Sequence, residues 1–132
     1  MIAVDTSALV AIFMDEPDRQ AYASAIADAG AAVVPTTCIL EASITAYRVG
    51  GADMDEALDA LVKRLKIEVV PVGTGELAAA RDAFRRFGKG TGHPAALNFG
   101  DCFSYALAKT RDLPLLFKGT DFAATDIRSA LA

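Results

Sequence analysis

Cysteine is scarce in this sequence: Cys38 and Cys102 are its two cysteines in 132 residues, and both lie in apolar segments. That excludes a disulfide framework and reads as two buried thiols in a reducing compartment. Histidine is scarcer still, with His93 alone, in a glycine-rich loop. One histidine and two isolated cysteines make no zinc set. They also leave Ser/His/Asp catalysis with little support. There is no Walker A loop and no G-x-G-x-x-G fingerprint. Long apolar runs are missing too. The longest stretch without a charge, Ala29–Leu40, contains Gly30 and Pro35, so no transmembrane helix fits. The N-terminus has no basic region, and Asp5 stands where an apolar signal core would begin; the expectation is a cytoplasmic protein. Positive charge is in deficit, with 13 Lys and Arg against 17 Asp and Glu and a net charge of −4. That argues against a protein held on nucleic acid by bulk positive charge. An enzyme with locally placed cations and carboxylates for a metal stays open.

What is present is a globular composition, 53% hydrophobic and 23% charged, at a length that suits one domain over residues 1–132. The apolar run MIAV reads as a strand cut off by Asp5. Ala8–Met14 reads as a helix capped by Asp5 or Thr6. Pro17–Ala29 has Tyr22 and Ile26 four apart and ends at Gly30, as a helix should. A short strand, Ala31–Val34, stops at Pro35. The next helix opens at Thr36 or Thr37 and runs to about Val49, with Leu40, Ile44 and Tyr47 as its apolar stripe. Gly50-Gly51 ends it. Asp53–Leu65 is the most regular helix, with Met54, Leu58, Leu61 and Leu65 on one face. Ile67–Val70 is β-branched. Gly75–Phe87 spaces Leu77, Ala80, Phe84 and Phe87 as a helix, which assigns Phe84 and Phe87 to the core. Gly88–Phe99 is a loop, Gly100–Thr110 a helix apolar on nearly every side, Pro114–Phe117 a strand, and Asp126–Ser129 a last short strand. Alternation of this kind predicts a parallel sheet covered by helices on both faces.

In such sheets ligands bind beyond the carboxyl ends of the strands, and those ends are rich in acids. Asp5 follows the first strand, Glu41 lies in the second turn after the second strand, Asp101 opens the buried helix, and Asp121 follows the fourth strand. Each has a structural reading by itself: a cap, a solvated helix residue, a first-turn acid, an Asx-turn. Together they point to one site. Carboxylates crowded without a counter-ion repel. A hard divalent cation, Mg²⁺ or Mn²⁺, resolves that, and it suits phosphodiester hydrolysis.

The segments IAVDTSALVAIF, the Glu41 helix, NFGDCFSYALA and LLFKGTDFAATDI resemble the PIN-domain ribonucleases, and more narrowly the VapC toxins of bacterial VapBC toxin–antitoxin pairs. The resemblance implies a three-layer α/β/α domain with a parallel sheet of about five short strands. It implies a Mg²⁺- or Mn²⁺-dependent endoribonuclease, a cognate VapB-type antitoxin and a homodimer. It maps an acidic quartet onto Asp5, Glu41, Asp101 and Asp121, with Asp126 close enough to compete for the last place. A family hydroxyl near the metal maps to Thr6 or Ser7, and Asn98 and Lys118 flank the acids within reach of phosphate. The basic segment Arg81, Arg85, Arg86, Lys89 and His93 reads as a phosphate track or as a solvated helix face. Two other classes compete: a phosphotransfer or phosphatase domain, and a catalytically inactive binding module on the same fold. The first lacks the second aspartate that a haloacid-dehalogenase-like site would have at position 7, which is Ser7, and lacks an acceptor aspartate after the third strand. The second has no support while the acids are present.

Overall fold

A computed structural model describes residues 1–131. Strands and helices follow the order β1 (Ile2–Val4), α1 (Thr6–Phe13), α2 (Arg19–Asp28), β2 (Ala32–Pro35), α3 (Thr36–Arg64), β3 (Ile67–Val70), α4 (Thr74–Phe87), α5 (Phe99–Thr110) and β4 (Leu115–Leu116). A 3₁₀ turn, Phe122–Ala124, comes after β4. The strands form one parallel sheet in the order β3-β2-β1-β4. The period-2 alternation of side chains splits the core in two. Ile2, Val4, Ala32, Val34 and Ile67 pack with α1, α2 and α3. Ala3, Val33, Val70 and Leu115 pack with α4 and α5. The result is a three-layer α/β/α arrangement, as expected from the alternation.

Four described strands replace the expected five or so. Asp126–Ser129 makes only an isolated parallel bridge, Leu115 with Ser129, through Leu115 N to Arg128 O and Ala130 N to Leu115 O. β4 is two residues long, so it offers little ladder for a further strand to extend.

The two helices expected on either side of Gly50-Gly51 are joined as α3, with a break at these glycines (Gly50 φ −150°, ψ 23°; Gly51 φ 68°, ψ −155°). Beyond the break Leu58 and Leu61 are buried and Met54 and Leu65 pack partly buried against the same core, as the spacing predicts, and Val62 joins them. Before it, the stripe is a correction. Leu40 and Tyr47 are each 61% exposed, and Ile44 is exposed too. The buried face is Cys38, Ala42 and Ala46. Small side chains let α3 approach the sheet and α5 closely, and the large ones are left outside. α4 shows the same division: Ala80, Ala83 and Phe87 are buried, while Leu77 and Phe84 are exposed, which corrects the core assignment of Phe84. The reading of α5 holds, with Cys102 and Ser104 through Ala108 all buried.

Gly51 has a backbone conformation open almost only to glycine. Gly51→Ala should therefore lower unfolding free energy by about 1–3 kcal/mol. Gly75→Ala, in the first turn of α4 with open space around the new methyl, should be neutral or slightly stabilising. Urea unfolding of both variants checks the pair; equal effects would show that the break at Gly50-Gly51 carries no special strain.

Candidate active site

Parallel strands deliver their carboxyl ends to one edge, and the acids sit there. Asp5 leaves β1 directly and is only 4% exposed. It caps α1. Its Oδ2 accepts from Ser7 N (3.0 Å) and from Ser7 Oγ (2.6 Å). Its Oδ1 accepts from Ser104 Oγ on α5. A buried carboxylate needs its lost hydration replaced, and these donors replace it. The sequence left cap and site as alternatives for Asp5; here the cap uses one oxygen while the other reaches α5.

Glu41, half-buried on α3, accepts from Thr6 Oγ1 at 2.8 Å. Its carboxylate lies against Gly100 at the start of α5, where any Cβ would collide with it. Burial pushes the Glu41 carboxyl above its ordinary range; the Thr6 bond opposes this and the nearby Asp5 charge adds to it. Asp101 shares a capping box with Asn98: Asn98 Oδ1 accepts from Asp101 N (2.9 Å), and Asp101 Oδ2 accepts from Asn98 N (3.0 Å). Burial, and after it the charges of Asp5, Asp121 and Glu41, raise the Asp101 carboxyl to about 6 against the pull of its backbone bond. The quartet therefore shares one electrostatic field. Asp121 immediately precedes the 3₁₀ turn, which the buried Phe122 anchors. Its segment is tied to the site by Lys118 N donating to Ser7 Oγ at 2.9 Å.

Asp126 is committed elsewhere. It accepts from Tyr105 Oη (2.7 Å) and Lys109 Nζ (2.7 Å) and lies 3.7 Å from Arg86 Nη2. Burial works against its charge, but the Lys109 and Tyr105 bonds outweigh it and hold its pKa low. Between the two aspartates of the C-terminal segment, Asp121 is the one in the field of Asp101. As their side chains stand, no three His, Cys, Asp or Glu residues among those described are gathered into a ready ligand set. Asp5, Glu41 and Asp101 are each turned toward a protein donor. The donor chemistry nonetheless fits a hard cation: carboxylate oxygens in one shared field, with neither thiolate nor imidazole among them.

Three of the expected RNA contacts have protein partners. Arg86 pairs with Asp82 (3.4 Å), donates to Tyr105 Oη (3.3 Å) and lies over the Phe87 ring. Lys118 Nζ binds Glu16 (2.6 Å) and Asp18 (3.2 Å). The side-chain oxygen of Asn98 is spent on the capping box. The partner of Asn98, Asp101, and one partner of Arg86, Asp82, lie within a helical turn, whereas Glu16 and Asp18 beside Lys118 are about 100 positions away along the chain. Thr6 and Ser7 are at the site, where they bond to its acids. Arg85 has no ion pair among the described residues. It borders, with Arg81, an apolar groove of about 410 Å³ lined by Leu77, Phe84, Phe99 and Phe103. Sequence reading missed Gly100 and Ser104. The available signal was a lone serine in a helix otherwise apolar on every side, one turn beyond Asp101.

The PIN domain family model matches residues 2–128. The chain belongs to the PIN-domain family. It is 45% identical to ribonuclease VapC28 of Mycobacterium tuberculosis over 97% of this chain and 96% of the relative. It is also 45% identical to ribonuclease VapC of Mycolicibacterium smegmatis, over 96% of this chain and 97% of the relative. Among solved structures, its fold is similar to Mycobacterium tuberculosis VapC20, a sarcin–ricin loop cleaving toxin, with TM-score 0.77, 17% identity and 96% of each chain covered. That likeness is one of fold, and it agrees with the PIN architecture described above.

The Asp101 carboxyl gives a pH signature. With its pKa at about 6 in the folded chain, it binds a proton at higher pH than the unfolded chain does. Its contribution therefore favours folding below about pH 4 and is progressively lost as pH rises through about 6. In metal-free buffer Asp101→Asn should melt higher than wild type above pH 6, and the gap should close below about pH 4. Thermal unfolding across this range is the measurement; a gap independent of pH would separate Asp101 from the acidic field.

Proposed function

We propose that this PIN-domain chain is an endoribonuclease toxin that hydrolyses RNA phosphodiester bonds. Asp5, Glu41, Asp101 and Asp121 would hold a divalent cation, Mg²⁺ or Mn²⁺. The observation that carries this reading is the gathering of Asp5, Glu41 and Asp101 at the carboxyl edge of the sheet, with Asp5 joined to α5 through Ser104 and the Glu41 carboxylate against Gly100 beside Asp101; the raised Asp101 carboxyl agrees with it. The names of the relatives, VapC ribonucleases matched over nearly their whole length, support the same reaction.

The cation, when bound, would supply charge stabilisation at the scissile phosphate and a more acidic water. The rest falls to the chain. Thr6 orients Glu41 and Ser7 orients Asp5, each through its hydroxyl. Arg81 and Arg85 remain for phosphate, and the exposed rings of Phe84 and Phe99 offer faces to bases. The phosphotransfer and inactive-module readings gain nothing from the geometry.

The partners proposed are RNA, a VapB-type antitoxin and a second copy of the chain. The exposed stripe Leu40, Ile44 and Tyr47 on α3 and the 80% exposed Phe99 support a covered surface. No described helix is long and apolar enough to cross a membrane. We place the protein in the cytoplasm, a reducing compartment that suits the two buried cysteines Cys38 and Cys102.

RNA cleavage with Mg²⁺ or Mn²⁺ should be abolished by EDTA. Asp5→Asn, Glu41→Gln and Asp101→Asn should each cost about 10²-fold or more, and double variants little beyond that, as for groups acting as one unit. Full activity in EDTA, or in Asp101→Asn, would refute the metal reading. A separate measurement addresses the second copy. Sedimentation should give a dimer for wild type and a monomer for a Leu40→Asp/Tyr47→Asp double variant; an unchanged sedimentation coefficient would move the interface off α3.

A further inference from the structure

We propose that Ser104 is a positioning residue that sets the separation of Asp5 from Asp101 and thereby the cation affinity of the site. The inference rests on the metal-dependent reading given above and assigns a residue outside the acidic quartet.

Ser104 is fully buried on α5, within a helix whose other buried residues are almost all apolar. Its hydroxyl has one proton, and that proton goes to Asp5 Oδ1. Its oxygen lies 3.1 Å from Cys38 Sγ on α3. With the serine proton committed, the thiol is the donor in that contact. Burial, and then the neighbouring Asp5 charge, hold the Cys38 thiol protonated, with its pKa up at about 11. The order is therefore Cys38 S–H to Ser104 O–H to Asp5 carboxylate. It joins α3, α5 and the end of β1, three of the segments that carry the quartet.

The geometry of α5 explains why this joint matters. Ser104 stands three residues after Asp101, so the two share a helix face about one turn apart. Fixing Asp5 to Ser104 fixes it relative to Asp101. Ser7 holds the other carboxylate oxygen from the opposite side. Between them the two serines leave the Asp5 carboxylate no freedom to rotate. Outer partners of this kind are worth about 10–100-fold in metal affinity or activity.

The test uses the full chain, with Mn²⁺ alone as probe in calorimetry and electron paramagnetic resonance. Thermal unfolding and RNA cleavage run alongside. Ser104→Ala should bind Mn²⁺ about 10–100-fold more weakly than wild type while remaining folded. Because Ser104 is buried away from solvent, the KM for RNA should stay constant and kcat should fall. Ser104→Cys keeps the side-chain volume with a weaker donor, and it should fall between the two; it replaces the alanine variant if that one does not fold. Wild-type Mn²⁺ affinity in a folded Ser104→Ala, or in Ser104→Cys where the alanine variant is unfolded, overturns the proposal and leaves the nuclease reading intact. Failure of wild type to bind Mn²⁺ or cleave RNA overturns both.

Discussion

The arrangement of this site depends on one buried carboxylate. Asp5 is nearly inaccessible to water, and every bond that compensates it comes from a group with a second attachment. Ser7 Oγ donates to Asp5 and accepts from Lys118 N, which ties down the segment carrying Asp121. Ser104 donates to Asp5 and meets Cys38, which ties α5 to α3. Thr6, next in the chain, reaches across to Glu41. Satisfying one buried charge thus orders the acid-bearing segments. An unpartnered carboxylate in this position would cost several kcal/mol, so the polar joints are as much a condition of the fold as of the chemistry.

The helix termini make the crowding tolerable. Asp5 caps α1, and Asp101 closes the capping box of α5. The positive ends of both helices face the carboxyl edge of the sheet, where they favour negative charge by about 0.3–1 kcal/mol each. Cap and ligand are therefore not rival explanations of these residues. The N–H groups that a helix leaves free are what allow acids to gather before any cation arrives. Functional sites often trade stability for function, and the raised Asp101 carboxyl, crowded by burial and neighbouring acids, is in keeping with such a cost.

The parallel α/β plan was legible because it rests on local signals: β-branched runs, glycine and proline stops, and helical spacing. The acids at strand ends were legible for the same reason, since topology alone brings them to one edge. What failed were judgements of which face a helix buries and which cation is free. The Leu40–Ile44–Tyr47 stripe has perfect helical spacing, yet α3 buries Cys38, Ala42 and Ala46 instead. Periodicity gives an amphipathic helix but not its orientation when close packing favours the small face. Lys118 looked available because its partners, Glu16 and Asp18, are distant in sequence, and Arg86 because only its Asp82 neighbour, and not Asp126 or Tyr105, lies within a helical turn. The lone Ser104 was a signal without an address, because its acceptor lies 99 positions away along the chain.

The same pairing reshapes the electrostatics of substrate approach. In a chain of net charge −4, RNA meets repulsion over most of the surface, screened beyond about 8–10 Å in ordinary salt. Lys118, Lys109, Arg86, Arg19 and Arg128 are each neutralised by a carboxylate. That leaves Arg81 and Arg85 beside the groove that opens between α4 and α5, within a few residues of Asp101 through Phe99. Attraction from these two, beside the acids, would favour orientation more than affinity. On the proposed reading, a strand seated by these two cations would run along the face that ends at the acids. A basic protein would bind the same RNA more tightly and in more ways. The acidic surface is thus compatible with a nuclease that must place one phosphate, and on the proposed reading the polar joints around Asp5 would set where that phosphate is met.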